Sequence, residues 1–157
     1  CGNGGSAANA VHIANDLVYP IAKKDGIGIR AVALTANEAV VTCLANDTGY
    51  DQIFSGQLKV MADAGDLLVV LSGSGNSPNI VSVLKQARAM GVRSYAILGF
   101  DGGQAKDIAD VAIHFAVNDM QAAEDLQTVV GHMVMKYLAA RGRSGSGVSG
   151  STRGQSS

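Results

Sequence analysis

Two glycine- and serine-rich loops, each opening directly into a helical pattern, are the places where this chain can do chemistry. Gly2-Asn3-Gly4-Gly5-Ser6 leads into residues 7–18, and Ser72-Gly73-Ser74-Gly75-Asn76-Ser77 leads into residues 78–90. Unpaired backbone N–H groups at a helix start, the positive end of the helix dipole and nearby hydroxyls can surround a phosphate, while glycine lets the backbone come close. The second loop follows the apolar run Leu67-Leu68-Val69-Val70-Leu71, which has the length and β-branched content of a buried parallel strand. Pro78 suits the first turn of the helix after it, with Ser77 as N-cap. Either loop alone reads equally well as a turn with an ordinary cap; two in one small chain favour the cradle. In the first helix His12 stands one turn before Asp16, a spacing that serves a half-buried helix histidine or a functional pair.

The elements that must hold these loops alternate along the chain. After the first helix comes a loop over residues 20–28 containing Lys23, Lys24 and Asp25, then an expected strand at 30–34. Thr35 or Asn37 can cap a helix over 38–45, and a further helical stretch covers 52–62. Beyond the strand at Leu67 and the helix at Pro78, the pattern predicts a strand at 94–98 and a short helix at 104–108. A strand at 111–117 and a last helix over 120–140 complete it. Such alternation implies right-handed βαβ units and a parallel sheet covered on both faces. Residues 141–157 are rich in Gly, Ser and Arg with almost nothing to bury, and read as a flexible tail after a domain at 1–140.

At 157 residues and 47% hydrophobic content the chain is expected to form one domain with a substantial core. With 12 Lys+Arg against 13 Asp+Glu and no basic run before the tail, it lacks the electrostatic footprint of a nucleic-acid binder. No apolar stretch reaches the roughly 18 residues that span a bilayer. Cys1 and Cys43 are too few for a disulfide framework, so a reducing cytoplasm is the simplest setting. The first loop has no strand before it, and the natural chain is therefore expected to begin earlier.

Gly2-Asn3-Gly4-Gly5-Ser6 followed by His12, Ala45-Asn46-Asp47 with Gly49-Tyr50, the loop from Ser72 to Ser77, Asp101-Gly102-Gly103, and a last helix carrying Glu124 and His132 together resemble the sugar isomerase (SIS) family. The order of these motifs holds from about Cys1 to Leu138, and the nearest branch is that of the phosphoheptose isomerases. The resemblance implies a flavodoxin-like three-layer αβα sandwich, a phosphorylated sugar as ligand, and a homo-oligomer, tetramer or dimer, whose sites are shared between subunits. It also implies an N-terminal helical segment before the first loop, which this sequence does not contain. By the same resemblance Asp16 and His132 fall at the positions of the catalytic carboxylate and histidine. His12, Asp16, Glu124 and His132 correspond to a zinc-binding set, and Asn3, Gly4, Ser6, Asp47, Ser72, Ser74 and Ser77 fall in the phosphosugar-binding loops. Two imidazoles and two carboxylates form a chemically reasonable zinc set.

The sequence departs from the family pattern at several points. Asp16 is one methylene shorter than the family's glutamate, Glu124 stands where phosphoheptose isomerases carry glutamine, Gly73 replaces a residue that usually bears a hydroxyl, and Leu17-Val18-Tyr19-Pro20 contains no arginine. An aldose–ketose isomerase needs a base near C–H and an acid near the carbonyl, and a carboxylate with an imidazole can supply both. The expected activity is therefore a phosphosugar isomerase resembling sedoheptulose 7-phosphate isomerase, acting through an enediol. The alternative is a non-catalytic sensor or interaction module, such as the relatives that bind the bacterial replication initiator. Gly2-x-Gly4-x-x-Ala7 also matches a dinucleotide fingerprint, but the expected strand at 30–34 ends in Leu34-Thr35-Ala36-Asn37 with no acidic residue for a ribose. His114, in a strand pattern between Ile113 and Phe115, is expected to be structural, and Met133 and Met135 are core or interface residues.

Overall fold

The structure, a computed structural model, describes residues 1–19, 21 and 28–144. Pro20, Lys23, Lys24 and Asp25 of the expected loop lie outside the described residues, as does the tail from 145 onward. Helices α1 (Gly5–Val18), α2 (Glu38–Asp47) and α3 (Ser55–Met61) precede strand β1 (Leu67–Ser72), with a short 3-10 turn at Tyr50–Gln52 between α2 and α3. Then follow α4 (Pro78–Met90), β2 (Arg93–Leu98), α5 (Gly103–Ile108), β3 (Val111–His114) and α6 (Met120–Ser144).

The three strands are parallel in the order β1-β2-β3, with Leu67 opposite Arg93 and Tyr95 opposite Val111. Their apolar side chains alternate between two faces, as the pleat requires. Leu68 and Val70 of β1 and Ala96 and Leu98 of β2 join Ile80, Val83, Leu84 and Phe54 in the larger core, beneath α3 and α4. Leu71 and Ile97 pack on the other side with Ala10 of α1 and with Ile13 and Val130. The result is three layers, helix–sheet–helix, with both anion-type loops at the carboxyl end of β1.

One expected strand is not formed. Residues 29–34 lie outside any sheet, although Gln57 Nε2 donates to Leu34 O at 2.9 Å and Ile29 N to Leu17 O at 2.9 Å. A strand needs a ladder partner, and the edge of β1 on that side is taken by Cys1, which donates to Val69 O at 2.8 Å and accepts from Leu71 N at 2.9 Å. A groove of about 610 Å³ separates the edge at Leu67 and Val69 from the segment at Arg30 to Leu34. Two boundaries also move: β3 ends at His114, because its partner β2 ends at Leu98, and α6 continues to Ser144.

Candidate active site along the seam of two helices

Helices α1 and α6 lie against each other on one face of the sheet, with a glycine at their crossing. A Cβ on Gly131 would stand 2.6 Å from Ile13 Cγ1 and 2.9 Å from its Cδ1, so with a side chain at position 131 either Ile13 or the helices would have to shift. The residues beside this crossing are His12 and His132. Their Nε2 atoms lie 2.8 Å apart, with the rings edge to face at 78°. Asp16, one turn beyond His12 and only 6% exposed, points Oδ2 at both imidazoles, 3.6 Å from His12 Nε2 and 3.5 Å from His132 Nε2. The two histidine side chains are nearly half exposed, so the buried carboxylate is reached from solvent between them.

These three residues offer ligand atoms within 4.8 Å of one another. A tetrahedral zinc ion with nitrogen and oxygen ligands at about 2.0–2.2 Å requires ligand atoms about 3.3 Å apart. The three separations bracket that value, so His12, Asp16 and His132 fit three corners of a tetrahedron and leave the fourth to solvent or substrate. Glu124 is not in this group. It sits two turns before His132 on α6, where a Cβ on Gly5 would collide with its carboxylate. The same helix face thus carries a carboxylate to the first loop and an imidazole to the His–Asp cluster.

The second loop is braced from within and from behind. Ser72 Oγ accepts from Gly75 N at 3.0 Å and Ser74 Oγ from Asn76 N at 3.3 Å, while the Asn76 side chain donates to Ser74 O and accepts from Gln104 N. Gly75 adopts φ 67°, and a Cβ there would overlap Gly102 O, which makes glycine obligatory at that turn. Ser77 occupies the N-cap of α4 but makes no side-chain cap bond, so its hydroxyl is free of that role. At Gly73 the room for a hydroxyl-bearing side chain is taken by Met120 Sδ, 2.5 Å from the built Cβ. In the first loop Gly4 is the N-cap of α1 with φ 56°, and Ser6 is buried at 3% exposure.

Other sequence-predicted residues have local partners. Asn3 pairs its side-chain amide with that of Asn79 of α4, with Nδ2 donating to Asn79 Oδ1 at 2.9 Å and Oδ1 accepting from Asn79 Nδ2 at 2.8 Å. Asp47 is held by Asn46 Nδ2 at 2.8 Å and by the Cys43 thiol, whose pKa rises above its ordinary value through that hydrogen bond and then through the carboxylate's charge. From the same segment it is Tyr50 that reaches the first loop, its hydroxyl donating to Asn3 Oδ1 at 3.2 Å. His114 is structural, its Nε2 3.0 Å from Phe100 O and its Nδ1 3.2 Å from Lys106 Nζ. The sequence reading missed Asn79 and Gly131. A glycine directly before a histidine inside an apolar helix was the available signal for the second.

The sequence and fold resemble those of known proteins. The SIS domain family matches residues 1–99. The phosphoheptose isomerase of Akkermansia muciniphila is 42% identical over 138 residues, 88% of this chain and 72% of that protein. That of Aliarcobacter butzleri is 36% identical over the same shares. Among solved structures, phosphoheptose isomerase from Neisseria gonorrhoeae superposes with a TM-score of 0.83 at 31% identity, covering 89% of this chain and 74% of that one.

Proposed function

The chain belongs to the SIS domain family, and from that premise we propose that it is a phosphosugar isomerase acting on sedoheptulose 7-phosphate through an enediol. The observation that carries the reading is the convergence of His12, His132 and the buried Asp16 on one point of the α1–α6 seam. His12 lies seven residues from Gly5, about 10 Å along α1 and on nearly the same face. A phosphate in the loops and a reacting carbonyl at the cluster would then be the two ends of one extended sugar.

Asp16 takes the proton from the carbon next to the carbonyl, and after exchange with solvent at the enediol stage delivers a proton to the neighbouring carbon. His132 Nε2 moves the second proton between the two oxygens, so that bonds and charge balance over the cycle. Ser6, Ser72, Ser74 and Ser77, with Gly4 and the first-turn amides of α1 and α4, hold the phosphate. Asn3 supports that loop, and Asp47 borders its mouth through the segment that carries Tyr50. As an alternative to that proton transfer by His132, His12, Asp16 and His132 would hold zinc, which when bound supplies Lewis-acid polarisation of the carbonyl. Glu124 belongs to the sugar-facing side of the first loop.

The natural assembly in this reading is a cytoplasmic homo-oligomer, dimer or tetramer. Its interface is supported by Val11 of α1 and Val129, Met133, Val134 and Tyr137 of α6, all exposed beside the histidines. Among the described residues no helix is long and apolar enough to cross a membrane. Substituting His132→Ala tests the assignment. Turnover of sedoheptulose 7-phosphate is expected to fall by about 10²-fold or more while its binding, measured by calorimetry, is largely kept. An unchanged rate rejects the role of His132, and loss of binding alone moves it to the phosphate site.

A further inference from the structure

Asn79 has no part in the chemistry above, yet it is 1% exposed at the second position of α4 and carries a full amide into the core beneath the loops. Among the described residues that amide is satisfied by Asn3 alone. Asn79 Nδ2 donates to Asn3 Oδ1 at 2.8 Å and Asn79 Oδ1 accepts from Asn3 Nδ2 at 2.9 Å, closing a two-bond ring between residues 76 positions apart. Two antiparallel hydrogen bonds between planar amides fix both separation and rotation, which one bond or an apolar contact does not. Tyr50 Oη adds a third bond to the same Asn3 oxygen at 3.2 Å.

The first loop needs such a tie. Its start is anchored where Cys1 bonds to β1, but Gly4 has open space around the position of a Cβ, and its φ of 56° is one that glycine leaves as readily as it enters. Asn3 lies between the anchor and Gly4, the N-cap from which α1 starts. The partner it grips belongs to the first turn of α4, the helix whose N-terminus opens behind the second loop.

We propose that Asn79 is a positioning residue that clamps the first loop to the start of α4, so that both loops meet a phosphate as one preformed cradle. The clamp rests on the isomerase reading for the identity of the anion, though not for its own existence. Asn3 then contributes by holding the loop, its Oδ1 accepting from both Asn79 Nδ2 and Tyr50 Oη and one Nδ2 hydrogen given to Asn79 Oδ1. Ordering the loop in advance spares the ligand that entropic cost.

The test uses Asn79→Ala, Asn3→Ala and the double variant, with sedoheptulose 7-phosphate as substrate and inorganic phosphate as competing anion. Each single variant is expected to raise KM and the phosphate inhibition constant together by about tenfold, with kcat changed by less than about twofold. The double variant is expected to be no worse than either single one, because both remove the same ring. A further additive loss in the double variant would overturn the clamp, giving Asn3 a separate contact with substrate. Hydrogen exchange of the amides of residues 2–6 reads the clamp without activity: faster exchange in Asn79→Ala supports it and unchanged exchange overturns it. If Asn79→Ala fails to fold, the same two readouts in Asn3→Ala, whose residue is only half-buried, decide in its place. A wild-type protein that neither turns over nor binds the sugar phosphate defeats the isomerase reading, while the exchange measurement still decides the clamp.

Discussion

Replacing Gly131 by alanine tests the seam from a position that touches no substrate. The added methyl would lie 2.6 Å from Ile13 Cγ1 and 2.9 Å from Cδ1, whereas carbon atoms pack comfortably at about 3.5–4.0 Å. The helices must therefore part, or Ile13 must move, by about 1 Å. Overpacking of this kind costs about 1–3 kcal/mol, while alanine in place of glycine inside a helix returns about 1 kcal/mol. Net stability thus falls by about 0–2 kcal/mol, a change too small to decide anything alone. The site is far more sensitive, because a functional constellation tolerates displacements of only about 0.5 Å. His12 and His132 flank the crossing at an Nε2 separation of 2.8 Å, and separating the helices opens that gap directly. Gly131→Ala is expected to lower zinc affinity and kcat by at least about tenfold, measured by competition with a chromophoric chelator and by steady-state turnover. Adding Ile13→Ala removes the opposing atoms and should restore both, even though it costs stability. Wild-type affinity and turnover in the single variant would refute the claim that the close crossing builds the site.

Glu124 places a carboxylate against Gly5 in the loop that receives the phosphate, so Glu124→Gln should lower KM for sedoheptulose 7-phosphate. Unit charges about 4 Å apart in water repel by about 1 kcal/mol, which is about fivefold in affinity; a raised KM in steady-state kinetics would show that the carboxylate contributes to binding. Asp110 tests the sheet's far end. Its carboxylate accepts from Ser94 N at 2.7 Å and Ser94 Oγ at 2.8 Å, and these bonds, the backbone one first, hold its pKa below the ordinary 3.8. A depressed carboxylate pKa stabilises the fold above the unfolded value and loses that contribution as pH falls through the folded one. The stability gap between wild type and Asp110→Asn in urea should therefore be present near neutral pH and close below 3.8; a gap independent of pH would count against it.

What the sequence made readable was everything set by local periodicity. The run from Leu67 reads as a buried strand because Leu68 to Leu71 serve both cores, and Pro78 marks the start of α4 because its ring suits a first helical turn. Residues 30–34 show the limit, since their apolar content satisfied a strand pattern but a strand also requires a neighbour to pair with. The His12–Asp16 pair was visible as one helical turn, and its meeting with His132 came only from the family order. The close contact at Ile13 depended on Gly131, whose role is the absence of a side chain. Asn3 sits in the loop where a ligand contact was expected, and its amide also pairs with Asn79 across 76 residues, which no local pattern announces.

The central claim is that Asp16 exchanges a carbon-bound proton of a phosphosugar at this seam. It is tested most directly by incubating sedoheptulose 7-phosphate with the protein in D₂O and following the protons next to the carbonyl by NMR. Wild type should exchange them for deuterium as isomerisation proceeds, and Asp16→Asn should bind the sugar phosphate yet leave those protons in place. Full exchange by the Asp16→Asn variant, or none by a wild type that binds the ligand, would contradict the account.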